Sequence, residues 1–309
     1  MRQTMKFHKP TEGFSGTLFP CERETGKAII FLMSLFKNAS GRLPKACVKY
    51  AHSYQCDALQ ITLGEGETAL AGYEIEQLEA AVSYLKTSGH DRIGIFGMST
   101  GAMMALSAAS FIPDITLTVA LTPCDFVMEG FIQDGLDGAN ERPADRSSLS
   151  YQGKDLDYLS YAYRHPMYWQ NIQAEAKGSG DMMHSRNMFD QSELMSPLKE
   201  EQMIKVENIK GTLILAGADD DSLWDTCRYI NRMKERLDRN EHECTPVFLT
   251  FEHGTHMVLP QSLAKDLLPG VLSAAPAAMF KAGRKHPLAC AETRKEIDRV
   301  IANALKEWK

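Results

Sequence analysis

Several things this sequence lacks narrow it at once. No apolar stretch reaches membrane-spanning length: the run at residues 28–36 is nine residues, short of the roughly 20 a spanning helix needs, and reads as a buried strand. The first 13 residues are polar and lack the apolar core of a secretory signal. There is no C-x-x-C pair. Seven cysteines, an odd number, lie scattered, which argues against a zinc site or a disulfide framework and reads as reduced thiols in a cytoplasmic protein. Basic residues are not in excess. Lys and Arg number 34 against 40 Asp and Glu, a net charge of -6, which argues against nucleic acid or an anionic membrane as the main partner. Neither an internal repeat nor a low-complexity segment is present.

What is there is the composition of an ordinary globular protein, 44% apolar and 24% charged. Its 309 residues can bury a large core. The expected organisation is a single domain over residues 1–309 with an insertion at about 125–201.

One short stretch organises the rest. The apolar run at residues 92–98 breaks at Gly97, presents Ser99, and restarts after Gly101 as an Ala- and Met-rich segment. That is the strand, sharp turn and helix of a G-x-S-x-G nucleophile elbow. A serine on such a turn has a strained backbone and needs neighbours without bulk two residues away. Gly97 and Gly101 meet that need. A helix starting near Thr100 turns its N–H groups and positive dipole end towards the serine.

Around the elbow, apolar runs alternate with helical patterns. Residues 13–21 and 28–33, joined by the polar turn 22–27, read as an antiparallel hairpin at the sheet edge. Residues 43–54 predict a helix, 58–63 a strand, and 73–85 a helix with Ile75, Leu78, Val82 and Leu85 on one face. Residues 115–121, 212–216 and 246–251 predict further strands. Ser222 with Asp225 reads as a capping box for a helix carrying Ile230, Met233 and Leu237. Residues 261–279 and 291–308 read as C-terminal helical segments. The alternation predicts an α/β protein, a mostly parallel sheet with helices on both faces. Between 125 and 201 it stops. That stretch shows no clean strand and reads as a helical cap, with 156–169 and 192–201 the best helix candidates. Met167, Tyr168, Trp169, Met182, Met183, Met188 and Phe189 either line a pocket there or form the cap's own core. Trp169 and Met188, with Met98 beside the elbow, are the candidate substrate-binding residues.

An elbow serine needs a base and an acid to orient that base. In α/β-hydrolases these follow in the order Ser, Asp or Glu, His, each after a strand. Ser99, the run Asp219-Asp220-Asp221 and His256 meet that order. Asp220 is favoured as the acid, with Asp221 and then Asp219 as alternatives. His256 is favoured over His253 because Gly254 precedes it and lets the loop bend back. The two histidines have metal-like spacing, but no convincing ligand set accompanies them, and neither a metal nor a cofactor is expected. The oxyanion needs two donors. Thr100 N–H is one by elbow geometry, and the second is expected from the loop after residues 28–33, at Ser34 or Leu35.

These residues resemble the acyl-CoA thioester hydrolase and bile acid-CoA:amino acid N-acyltransferase C-terminal family, a branch of the α/β-hydrolases. The resemblance runs from about Ala28 onward. It rests on residues 93–99, Ala109-Ser110-Phe111, residues 206–211, the Gly217-x-Asp219-Asp220 turn with Trp224 behind it, Gly254-Thr255-His256 leading to Pro260, and residues 284–290. It implies an α/β-hydrolase fold and a triad on Ser99, Asp220 and His256. The family's amino-acid-transferring members carry cysteine at the nucleophile, so serine here implies transfer to water. The glycine-rich oxyanion loop of mammalian members is replaced by residues 33–38, and their N-terminal β-sandwich is expected to be absent. The expected activity is hydrolysis of a small-molecule acyl-CoA-like thioester or a carboxylic ester. Acyl transfer to an amine or alcohol, or a non-catalytic binding role, are the alternatives.

Overall fold

The computed structural model describes residues 2–33, 41–62, 69–267 and 275–308. Eight strands form one sheet: β1 (Met5–Phe7), β2 (Gly16–Phe19), β3 (Lys27–Leu32), β4 (Asp57–Ile61), β5 (Arg92–Met98), β6 (Ile115–Leu121), β7 (Lys210–Ala218) and β8 (Glu243–Phe251). Their spatial order is β1-β2-β4-β3-β5-β6-β7-β8. The first three in that order pair antiparallel and the rest parallel. Strands buried on both faces read as continuous apolar runs, and β3 shows why. Ala28, Ile30 and Leu32 enter one core while Ile29, Phe31 and Met33 enter the other.

Helices cover both faces. On one lie α2 (Glu76–Thr87), α3 (Thr100–Phe111) and α6 (Thr226–Arg239), through Leu78, Val82, Leu106, Ile230 and Met233. On the other lie α1 (Arg42–Ser53), α7 (Gln261–Leu267) and α8 (Pro287–Glu307), through Cys47, Tyr50, Leu263, Ile297 and Ile301. The alternation of the sequence therefore translates directly into layers.

Three local expectations are corrected. Strands β2 and β3 form no hairpin, because β4 lies between them. The Gly26 carbonyl accepts from Asp91 and Arg92 N–H, which sets β3 beside β5, while Asp57 accepts from Cys21 N–H and ties β2 to β4. The N-cap of α6 is Asp225, whose side chain accepts from Arg228 N–H, and Ser222 lies upstream in the turn.

The third concerns the stretch between β6 and β7, which leaves the central sheet. Its first part is extended. Glu129–Ile132 pairs with Arg142–Ser147 and with Ala69–Leu70, and Leu149–Tyr151 pairs with Lys154–Asp155 and Tyr73–Glu74. Half of that pairing comes from residues 69–74, so no local pattern could announce it. The two helices of this stretch are α4 (Tyr168–Ser179) and α5 (Arg186–Met195); residues 156–167 contain no helix, and α5 ends where the second expected helix scarcely begins.

Candidate active site

The elbow forms as the glycines require. Ser99 sits at φ 60°, ψ -130°, a region that costs a non-glycine residue about 1–3 kcal/mol. Ser99 N–H donates to the Leu121 carbonyl at 2.9 Å, and the Ser99 carbonyl accepts from Ala102 N–H at 2.8 Å. A methyl at Gly97 would overlap the Gly101 carbonyl, and one at Gly101 would overlap the Leu32 carbonyl. The strain at Ser99 is thus held by backbone packed against β3 and α3.

Strand β8 ends at Phe251, and the loop behind it returns His256 to the serine. His256 Nε2 lies 2.9 Å from Ser99 Oγ. His256 Nδ1 lies 3.0 and 2.9 Å from the two carboxylate oxygens of Asp221. The carboxylate on the imidazole is therefore Asp221 and not Asp220. Asp221 is 1% exposed and also accepts from Leu223 N–H at 2.9 Å and the Thr226 hydroxyl at 2.5 Å. Three donors, the His256 ring N–H, Leu223 N–H and the Thr226 hydroxyl, compensate its burial. Trp224 stands edge-on to His256, ring centroids 4.7 Å apart, with its indole N–H on the Thr122 carbonyl. Trp224 fixes the face of the imidazole that Asp221 does not.

Asp220 points to the other side of the turn. It accepts from Gly254 N–H at 3.0 Å and Thr255 N–H at 2.6 Å, and meets His253 Nδ1 at 3.2 Å. His253 stacks on His286 at 3.8 Å and is turned away from the serine. The bend before His256 falls at Thr255, φ 59°, whereas Gly254 is required by closeness: a Cβ there would stand 2.9 Å from Ala218 and Val258. Asp220 thus clamps the strained loop that delivers His256. Sequence order alone could not separate two adjacent aspartates whose side chains diverge.

Ser99 and His256 open into a cavity of about 350 Å³. Thr100 and Met98 line it at the elbow, and Met188, Phe189, Tyr168 and Ile172 line it from α4 and α5. Trp169 is absent from this lining. The inward stripe of α4 is Tyr168, Ile172 and Ala176, at helical spacing, and Trp169 sits one position round the helix. Met183 reaches the cavity, while Met167 and Met182 are 51% and 70% exposed. Leu35, the expected second oxyanion donor, lies outside the described residues. Among the described lining residues Glu141 is the one carboxylic acid, and none is Lys or Arg. Sequence reasoning missed Glu141 because it lies in the weakly patterned loop between two cap strands.

No group of three or more His, Cys, Asp or Glu able to hold a metal occurs among the described residues. All seven cysteines are free and buried, and no described helix is long and apolar enough to cross a membrane.

A mostly parallel sheet that carries Ser99 at the β5–α3 elbow, with Asp221 and His256 in the loops after β7 and β8, makes this chain an α/β-hydrolase. Within that class it belongs to the BAAT / acyl-CoA thioester hydrolase C-terminal family, whose sequence profile matches residues 73–262. A mouse (Mus musculus) protein, the peroxisomal succinyl-coenzyme A thioesterase, is 24% identical over 191 residues, 60% of this chain and 38% of its own length. The chain thus spans well under half of that relative. Two solved structures share the fold. An esterase from Pyrococcus furiosus is 15% identical, with a TM-score of 0.51 over 90% of this chain and 89% of its own. Esterase LipW from Mycobacterium marinum is 12% identical, with a TM-score of 0.52 over 99% and 81%.

Proposed function

We propose that the protein hydrolyses an acyl thioester of the acyl-CoA kind, or a carboxylic ester, through an acyl-enzyme on Ser99. The observation that carries this reading is the relay Ser99 Oγ, His256 Nε2 at 2.9 Å, His256 Nδ1, Asp221. His256 takes the Ser99 proton as the alkoxide attacks the carbonyl carbon, and Asp221 holds the imidazole in the tautomer that leaves Nε2 free to accept. Thr100 N–H, at the start of α3, stabilises the tetrahedral oxyanion. His256 then protonates the departing thiol or alcohol. In the second half it removes a proton from water, which attacks the acyl-serine and releases the acid.

Family membership and the mouse thioesterase support the thioester reading, and the esterases of like fold are compatible with the ester. The apolar lining of the cavity suits an acyl chain. The chain spans 38% of the mouse relative's length, so the acyl group in that relative's name is not carried over.

Ser99→Ala lowers kcat/KM for acyl-CoA and nitrophenyl esters by at least about 10³-fold, and a fluorophosphonate labels the wild-type protein at Ser99 and not the variant. Retained turnover in Ser99→Ala would overturn the assignment.

A further inference from the structure

Glu141 is the feature of the cavity that hydrolysis itself does not use. It shares the cavity with Ser99 and His256, and it is partly buried. Its hydrogen bond among the described residues is from the Tyr168 hydroxyl to Oε1 at 3.2 Å. No described cation pairs with it. The neighbouring Arg142 is turned to Asp134 at 2.6 Å, and Arg164 is held by Glu129 and Asp145. Around Glu141 stand apolar or aromatic groups, Tyr161, Tyr168, Phe131 and Met188 among them. Burial raises its pKa above the usual carboxylate value, only partly offset by the Tyr168 hydroxyl.

The second oxygen of Glu141 is open to the cavity, where water serves it, and a ligand group that displaces that water without donating in its place loses the bond. The open oxygen of Glu141 accepts a hydrogen bond, and in its ionised form the group repels a carboxylate brought into the same cavity.

We propose that Glu141 sets acyl specificity: the cavity takes an acyl group whose apolar body carries a hydrogen-bond donor, a hydroxyl or an amine, and rejects one ending in a carboxylate. The inference rests on the reading of Ser99 as acyl acceptor and names the substrate class for it. The amine differs from the hydroxyl in bringing a charge that pairs with ionised Glu141, so the two donors are separated by experiment.

The test uses matched thioesters of one chain length ending in methyl, hydroxyl, ammonium or carboxylate, with wild type, Glu141→Gln and Glu141→Leu. The wild-type kcat/KM favours the hydroxyl or ammonium chain over the carboxylate chain by at least about tenfold, the scale of one hydrogen bond to a charged group. Glu141→Leu shifts the preference to the methyl chain, and Glu141→Gln abolishes the rejection of carboxylate. A hydroxyl preference in wild type that Glu141→Gln keeps identifies the neutral donor; a wild-type preference for ammonium over hydroxyl that Glu141→Gln loses identifies the cation. Binding of the corresponding methyl ketones to Ser99→Ala, read by calorimetry, shows the same order without any turnover. Ketone discrimination without thioester hydrolysis overturns the proposed activity and leaves Glu141 as a selector. Hydrolysis with equal preference in wild type and both variants overturns the role of Glu141. Thermal melting confirms that the variants compared are folded.

Discussion

Two adjacent carboxylates divide the work behind His256. Asp221 faces inward and accepts from three donors, His256 Nδ1–H among them. Asp220 faces the loop and holds Gly254 and Thr255 by their N–H groups. The two substitutions to asparagine therefore separate the roles. Asp221→Asn lowers kcat by about 10³–10⁴-fold, because an amide cannot hold the Nδ1-protonated tautomer. Asp220→Asn still accepts from the loop through its carbonyl and loses no more than about tenfold. Steady-state kinetics on the two variants checks this, and a larger loss in Asp220→Asn would falsify the assignment of Asp221. The order Ser, Asp, His was legible in the sequence. Which of three consecutive aspartates meets the imidazole was not, since it depends on the turn that follows β7: Asp221 N–H reaches back to the Ala218 carbonyl and Asp219 N–H to the Phe251 carbonyl.

At the scale of elements, the cap is fastened to the turn that carries the acid. Arg186, the first residue of α5, donates to the Asp219 and Asp221 carbonyls at 2.8 and 3.0 Å and pairs with Asp225 at 2.6 Å. Ser185 and Arg186 N–H both donate to the Ser222 carbonyl. The helix bearing Met188 and Phe189 is thus registered against the turn bearing Asp221. Arg186→Ala removes three contacts of a partly exposed guanidinium and lowers stability by about 1–3 kcal/mol. It also raises KM for the acyl chain, because the cap wall of the cavity is no longer held to the sheet. Chemical denaturation and KM against kcat check the two effects; an unchanged KM with lowered stability would make Arg186 structural only. The sequence announced helices α2 and α6 by an apolar face and α3 by a continuous Ala- and Met-rich run after Gly101. It missed the strands of the cap, whose pairing partners lie at residues 69–74.

For the molecule as a whole, an ion network ties the chain's return from the cap to α6. Arg236 meets Glu200 at 2.7 Å and Glu207 at 2.6 Å, and Lys205 meets Glu200 at 2.6 Å. Hydrogen bonds from Arg236 and then Lys205 hold the Glu200 carboxyl down at about 2, below its ordinary value of 4.5. The unfolded chain therefore binds more protons than the folded one between these values. The contribution is fully present above about pH 4.5 and is lost as pH falls towards 2. Glu200 is 64% exposed, so solvent screening keeps the effect below about 1 kcal/mol. Melting temperatures of wild type and Glu200→Gln differ at pH 6 and converge as the pH is lowered to 3. A gap that is constant with pH would remove Glu200 from the network.

The sequence by itself determined the class of fold and marked Ser99 and His256 as the proposed nucleophile and base. Alternating apolar runs dictate a two-faced sheet, and Gly97 and Gly101 permit the elbow that only small residues allow. Those signals are local, carried by periodicity and by steric demand within a few residues. Tertiary structure alone decided that Asp221 turns to His256, that Tyr168 and not Trp169 faces the cavity, and that Glu141 lines the same cavity as Ser99. Each of these depends on side-chain direction and on pairing between segments far apart in the chain, which no local pattern encodes.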